Sequence, residues 1–339
     1  MLMSVKPQTT VYALPFLFLF FLISSLTLKA ENTTDDAYFS AELGAVFFDL
    51  PEYQDGYGVV GLEPVSGPYF SEADDHNGSS LTLTGGILTD KHINWLNSTV
   101  FLEASGFYSK SNENANATLG SDPDGNNIRF ALFDGSNGFN SSDGGPLNYK
   151  LRSEIDYYGA RLDLGLESEL GSWTIRTQVG PQLLRLKQDY TLYGMAINDP
   201  NSTYNRYESL DSRYRGIRFA VSADKQFTNQ VSVETELGIS ALALRTRYKG
   251  QDEHYADGQS QQNHSLHKGT YSADLKLAAR YQVTPAVAFG LNIATTYIND
   301  VPEIKHATGA TSNNTFVPSS LDTDTMLVTT VGVELTSTF

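Results

Sequence analysis

The chain has 339 residues, no cysteine and a formal net charge of -16 at pH 7. The missing thiols exclude a disulfide framework, a thiolate metal site and a cysteine nucleophile, and a chain this acidic offers a nucleic acid no electrostatic footprint. Beyond residue 28 no stretch is long and apolar enough for a membrane helix. What remains is rich in Tyr, Phe, Gly, Asn, Ser and Thr, residues that build strands and turns.

Residues 1–30 read as a secretory leader, with Lys6, an apolar run over residues 16–22, and Ser24, Ser25 and Ala30 before an expected cleavage after Ala30. Pro15 interrupts the run, which favours a leader over a retained anchor helix. Removing Lys6 and Lys29 makes the rest about two charges more negative. Residues 31–339 are expected to form one domain.

From Tyr38 to Asp49 the residues alternate, with Phe39, Ala41, Leu43, Ala45 and Phe47 on one parity and Ser40, Glu42 and Gly44 on the other. Successive strand side chains point to opposite faces, so this is a first strand with one apolar and one polar face. Leu81, Leu83 and Ile87 opposite Thr82, Thr84 and Gly86 give a second, and Val100, Leu102 and Ala104 opposite Glu103 and Ser105 a third. The pattern returns in Ala160 to Leu166 against Arg161, Asp163 and Glu167, and in Trp173 to Val179 against Arg176 and Gln178. It continues in Ile217 to Ala223 against Arg218, Ser222 and Asp224, and in Val231 to Ile239 against Glu234, Glu236 and Ser240. Tyr271 to Tyr281 against Ser272, Asp274, Lys276 and Arg280, and Val287 to Ile293 against Gly290 and Asn292, give two more. The last runs from Asp324 to Phe339, with Leu327, Val331, Val333 and Leu335 opposite Val328, Thr330, Gly332 and Glu334.

Connections alternate in length. Long ones are expected at 50–78, 111–146, 190–207, 250–267 and 299–322, and short ones at 90–98, 169–172, 228–229 and 284–285. Ten strands in up-and-down order, long loops on one side and tight turns on the other, predict an all-β antiparallel transmembrane barrel. A further pair inside 50–78 or 111–146 would make twelve. The competing arrangement is a periplasmic β-sandwich, in which a second sheet covers the apolar faces.

In a barrel the polar parity lines the interior. It carries Glu42, Glu103, Asp163, Glu167, Asp224, Glu234, Glu236, Asp274 and Glu334, together with Arg161, Arg176, Arg218, Lys276 and Arg280. Charges of both signs in a narrow barrel pair with one another, and the surplus of carboxylates would favour cations in a slender pore. The first long loop adds Glu52, Asp55, Glu63, Glu72, Asp74 and Asp75, an acidic rim that would gather cations or basic peptides. Trp95, Trp173 and tyrosines near the strand ends are expected at the interfaces. His76, His92, His264, His267 and His306 are scattered without the spacing of a zinc site, and no cofactor is expected.

The terminal strand, ending on Phe339, resembles the last strand of bacterial outer-membrane barrels, which their assembly machinery reads; Ser337 stands where such strands often carry another aromatic. From about Ile155 onward the chain resembles the outer-membrane barrels typified by the Legionella major outer membrane protein, a family described as pore-forming. The likeness rests on DYYGARLDLGLES at 156–168, QVGPQLLRLKQ at 178–188, RGIRFAVSAD at 215–224 and the hairpin at 273–297. These resemblances imply a Gram-negative outer-membrane location after leader cleavage, with lipid and lipopolysaccharide as surroundings.

A local resemblance points to a different function. QDEHYADG at 251–258 is similar to a segment of the omptins, ten-stranded outer-membrane proteases. Carried over, it implies Asp252 as the residue orienting His254, and His254 as a general base activating water against a peptide bond. The opposing acidic pair would fall on Asp122 and Asp124, and Gly180, Gln182 and Arg185 echo a further omptin pattern. The tryptophan-containing omptin signature is absent, because Trp95 and Trp173 are the chain's two tryptophans.

Overall fold

The computed structural model describes residues 37–339, apart from 61–62, 67–69, 73–74, 121–126, 131–132, 134–138, 141–145, 200, 255–257, 307–308, 311–315 and 318. The leader and the pair Asp122 and Asp124 lie outside the described residues.

Ten long strands carry the expected alternation: β1 Ala37–Asp49, β2 Asp75–Ile93, β3 Ser98–Leu119, β4 Leu147–Leu170, β5 Trp173–Ala196, β6 Thr203–Gln226, β7 Val231–His254, β8 Gly258–Thr284, β9 Val287–Lys305 and β10 Ser320–Thr338. Each pairs antiparallel with its chain neighbours, and β1 pairs with β10, bringing Glu42 opposite Glu334, so that the sheet closes into a barrel. Short strands at 53–55 with 70–72, and at 57–60, 63–66, 127–130 and 139–140, form two small sheets outside the ring. The ring therefore has ten strands among the described residues rather than twelve, because the extra strands in the first and second long loops pair with one another.

At one end the connections are tight. Gly171 takes φ 63° between β4 and β5, a conformation open to glycine without steric cost, and the Phe227 N–H bonds the Val231 carbonyl between β6 and β7.

Toward that end, the outward parity is apolar right around the ring. Leu43, Leu164, Leu183, Ile217, Leu237, Leu291 and Val333 are each about half exposed or more, with no second layer against them. On β8 this belt runs from Tyr271 to Tyr281; ten residue-to-residue steps of about 3.4 Å each, tilted about 40°, cover about 25 Å, the height of a lipid-facing band. Exposed Trp173, Phe227, Tyr281, Phe289 and Phe339 edge it on the turn side, and Tyr108 and Tyr271 on the loop side.

Strands β4 to β8 run on well past the belt, and there the two faces exchange character. On β7, Leu237 and Ile239 face outward below while Glu236 faces in; above, Arg245, Arg247 and Lys249 face outward while Leu242, Leu244 and Tyr248 face in. Strand thus replaces much of what the sequence suggests as loop at 111–146, 190–207, 250–267 and 299–322. It also corrects the expectation of a polar interior: the inner face is mainly polar over the turn-side half and mainly apolar above it, with a few buried polar residues among the apolar ones at the mouth. The physical reason lies in what each stretch presents outward: where the outer wall is apolar the polar residues gather inside, and where the outer wall is charged the barrel buries apolar side chains within, as any soluble core does.

Candidate functional site

The interior is layered. The turn-side layer holds the charged residues expected from the polar parity, all fourteen projecting to the inside. Arg218 is buried between Glu236 at 2.6 Å and Asp274 at 3.1 Å from its Nε. Arg161 reaches Glu103 and Asp163, each at 3.3 Å, and Glu236 at 3.5 Å. Arg280 bonds Glu234 at 2.6 Å and reaches Glu334 at 3.3 Å and Asp224 at 3.9 Å. Arg176 bonds Glu167 at 2.6 Å, and Lys276 lies 3.9 Å from Glu334. Glu42 is buried opposite Glu334. Gly238 leaves room here, since a Cβ would stand 2.0 Å from the Asp274 carboxylate and 2.6 Å from the Arg218 guanidinium unless those side chains shifted. A cavity of about 220 Å³ opens beside this girdle at the turn end, lined in part by Glu103, Arg161, Glu236, Lys276 and Arg280.

Above the girdle an apolar layer crosses the barrel. Val46 and Phe48 of β1 pack in one cluster with Ile155 and Tyr157 of β4, Leu184 and Leu186 of β5, Tyr214 of β6, Leu242 and Leu244 of β7, and Met326 and Val328 of β10. Phe48 and Tyr157 meet edge to face at 6.3 Å, and the Tyr214 hydroxyl donates to the Asp300 carbonyl at 3.1 Å, so strands three apart in the ring touch through the interior. An irregularity between Ile298 and Val301 on β9 turns both inward to complete it.

The loop-end mouth is filled as well. Ile128, Phe130 and Phe133 from the β3–β4 connection and Tyr53 from the β1–β2 connection pack onto Leu147, Tyr149, Leu151, Tyr190, Leu192 and Tyr204. Inside this plug lie two buried polar centres. Arg206, fully buried, bonds Asp55 and stands 3.7 Å from Asp252, with its guanidinium 4.6 Å from the Phe133 ring. Asp252 also accepts from the Phe133 N–H at 2.8 Å and from the Ser260 hydroxyl.

Glu208 is the second centre. It accepts from the hydroxyls of Tyr53 at 2.6 Å and Tyr248 at 2.5 Å, and pairs with His306 Nε2 at 2.9 Å. The other nitrogen, Nδ1, lies 2.6 Å from the Gln54 carbonyl. Both ring nitrogens face acceptors, so both carry hydrogens and the ring is an imidazolium. Burial opposes that charge, but the Glu208 and Asp55 carboxylates outweigh it and raise the His306 pKa. Burial opposes the Glu208 charge too, and is overcome by His306 and Arg206, which bring its pKa down to about 2.

Asp252 and His254 close β7 on its inward face, two residues apart, and both are buried rather than exposed in a loop. Asp55 is likewise buried against Arg206 and withdrawn from the acidic rim, while Glu52 and Asp75 remain exposed. His76 lies buried inside β2, near Ser153 at 3.3 Å. Among the described residues no group of His, Asp and Glu is arranged to hold a metal. Arg206, Glu208 and Tyr248 escape the sequence reading because it begins strand six too late and ends strand seven too early. Continuing the even parity of β6 upward from Arg218 places Glu208 and Arg206 on the inner wall.

No protein-family model matches the chain, and no curated protein matches it. Solved structures of similar shape include the outer membrane protease OmpT of Escherichia coli, 12% identical, covering 92% of this chain and 99% of that one with a TM-score of 0.45. The toluene transporter TodX of Pseudomonas putida is 10% identical, covers 90% of each chain and scores 0.34. The translocator domain of the autotransporter NalP of Neisseria meningitidis is 11% identical, covers 97% of this chain and 99% of that one, and scores 0.30.

Proposed function

We propose that the chain is an integral barrel of the Gram-negative outer membrane, displayed at the cell surface and closed at rest. The apolar belt, about 25 Å tall and edged with aromatics, supports the membrane location. The closed state rests on one observation: Phe48, Tyr157, Tyr214 and Met326 meet across the barrel above the girdle. Ions do not cross a dry layer of that kind without large rearrangement. The acidic girdle then forms a cation-favouring vestibule at the turn end rather than a continuous pore. Exposed Glu52 and Asp75 leave an acidic margin at the mouth for cations or basic peptides.

Purified protein in planar bilayers is expected to show no steady conductance at neutral pH, with heat-modifiable mobility on gels as the check that it is folded. Steady wild-type conductance would overturn the closed reading.

The second reading is an endopeptidase, favoured by Asp252 and His254 sharing the inward face of β7 at the mouth. In the geometry here Asp252 is held by Arg206, Ser260 and the Phe133 N–H. Substrate would have to displace the plug before reaching either residue. Cleavage of a dibasic peptide by intact cells, abolished by His254→Ala, would establish this reading; absence of cleavage by the wild type removes it.

A further inference from the structure

One surface of this acidic protein is strongly basic. Just above the apolar belt, the outward faces of β5, β6 and β7 carry Arg185, Lys187, Arg213, Arg215, Arg245, Arg247 and Lys249. On the same stretch of wall stand the carboxylates Asp189 and Asp211.

The register sharpens the point. Tyr108 faces Tyr158, Tyr158 faces Arg185, Arg185 faces Arg213, and Arg213 faces Arg245, so three arginines follow two tyrosines along one rung of five adjacent strands. Like charges set directly opposite one another across strands destabilise a sheet unless an anion intervenes. Asp211 serves Arg185, in a two-pronged pair at 2.6 and 2.9 Å, and Arg213 at 2.9 Å. That carboxylate is then occupied. Arg247 stands opposite it in register, yet Arg215, Arg245, Arg247 and Lys249 make no ion pair within 4 Å among the described residues.

Beside the rung lies a groove of about 460 Å³ on the outer wall, bounded by Tyr108, Tyr158, Leu183, Arg185, Arg213 and Arg215. Its walls are apolar toward the belt and cationic toward water. The Arg185 guanidinium donates to the Tyr158 hydroxyl at 2.6 Å and fixes the upper edge.

We propose that this face binds a phosphorylated lipid of the surrounding leaflet, with phosphate on Arg215, Arg245 and Arg247 and an acyl chain along the Tyr108–Leu183 groove. The inference rests on the outer-membrane reading above. The height selects a lipid over a soluble anion: the cations begin where the apolar belt ends, at the level of headgroups. Arginine suits the task because its planar fork meets phosphate oxygens two at a time. Elsewhere above the belt Lys110, Arg152, Lys268 and Lys305 each pair with a carboxylate, so the arginines of β6 and β7 that make no ion pair among the described residues mark a site rather than a uniform interfacial collar.

The test uses full-length barrel in detergent and three probes: a diphosphorylated glycolipid of the lipid A type, its dephosphorylated form, and inorganic phosphate. The wild type is expected to bind the phosphorylated glycolipid at least tenfold more tightly than the dephosphorylated one, with millimolar phosphate competing little. Arg215→Gln/Arg245→Gln/Arg247→Gln is expected to lose that preference. Because these side chains make no ion pair among the described residues, the variant should keep wild-type heat-modifiability. Lys91→Gln/Lys225→Gln, which removes cations at the opposite end of the barrel, should bind as the wild type does. Equal affinity of the triple variant, or equal binding of the dephosphorylated lipid, overturns the site; saturation by inorganic phosphate would show a general anion patch and overturn it too. Fractionation of the same cells separates the claims. A membrane-borne barrel whose affinity the triple substitution leaves unchanged overturns the lipid site alone, whereas a freely soluble barrel overturns the location as well.

Discussion

His306 lies 2.9 Å from Glu208, and this pair joins a loop beyond β9 to the inner wall of β6 at the barrel mouth. Tyr53 completes the arrangement, bonding Glu208 and lying tilted against the His306 ring with centroids 4.7 Å apart, so the first and last loops are fastened to the same carboxylate.

The fastening should depend on pH in both directions. His306 has a raised pKa, so its contribution is full below the ordinary histidine value and is lost as pH rises through the higher folded value. Glu208 has a lowered pKa, so its contribution is full above the ordinary value of 4.5 and is lost as pH falls through about 2. Resistance of the first loop to proteolysis should therefore be greatest between about pH 4.5 and 6.5. His306→Gln should flatten the alkaline side and move the acid side to higher pH, because His306 is the foremost partner holding the Glu208 pKa down.

Arg206 is the buried cation that neutralises Asp55 and Asp252. Arg206→Met leaves two carboxylates without it and should destabilise the plug by about 3–5 kcal/mol. Adding Asp55→Asn and Asp252→Asn should recover much of the loss, since a neutral trio needs no counter-charge. Protease nicking between residues 50 and 75 reads both effects.

The apolar layer is the barrier to ions. Phe48→Ala/Tyr157→Ala deletes rings that meet across the barrel, at a cost of about 3–5 kcal/mol for each aromatic removed. Current through this variant in a bilayer should favour potassium over chloride, because nine girdle carboxylates outnumber five cations. A chloride-selective current would contradict the role assigned to the girdle.

Gly238 leaves room for the girdle's central ion pair. Gly238→Ala places a methyl group against Asp274 and Arg218 and should lower the temperature at which heat-modifiable mobility is lost, by more than Gly171→Ala, whose Cβ would meet no atom within 4 Å and costs only turn strain.

Strand number, order and closure were legible in the sequence because, within the belt, apolar outward and polar or small inward residues alternate one by one. The girdle was legible for the same reason: Glu236 and Arg218 fall on the parity opposite Leu237 and Ile217. The mouth was not, because the rule reverses there. In residues 241–249 of β7, Leu242, Leu244 and Tyr248 take the inner parity that Glu234 and Glu236 hold below, so a reading tuned to one polarity ends the strand at the reversal. The link from Glu208 to His306 spans 98 residues, and a lone histidine in a polar stretch carries no local sign of its partner.

The central claim is that lipid meets the outward parity of each strand. Since the chain has no cysteine, single substitutions along β6 and β7 report on it without background. Spin labels at Ile217→Cys, Phe219→Cys and Val221→Cys in native membranes should be relaxed strongly by lipid-soluble oxygen and weakly by a water-soluble nickel complex, with Arg213→Cys and Arg247→Cys showing the opposite. Strong relaxation by the nickel complex at Ile217, Phe219 and Val221 would contradict the membrane barrel.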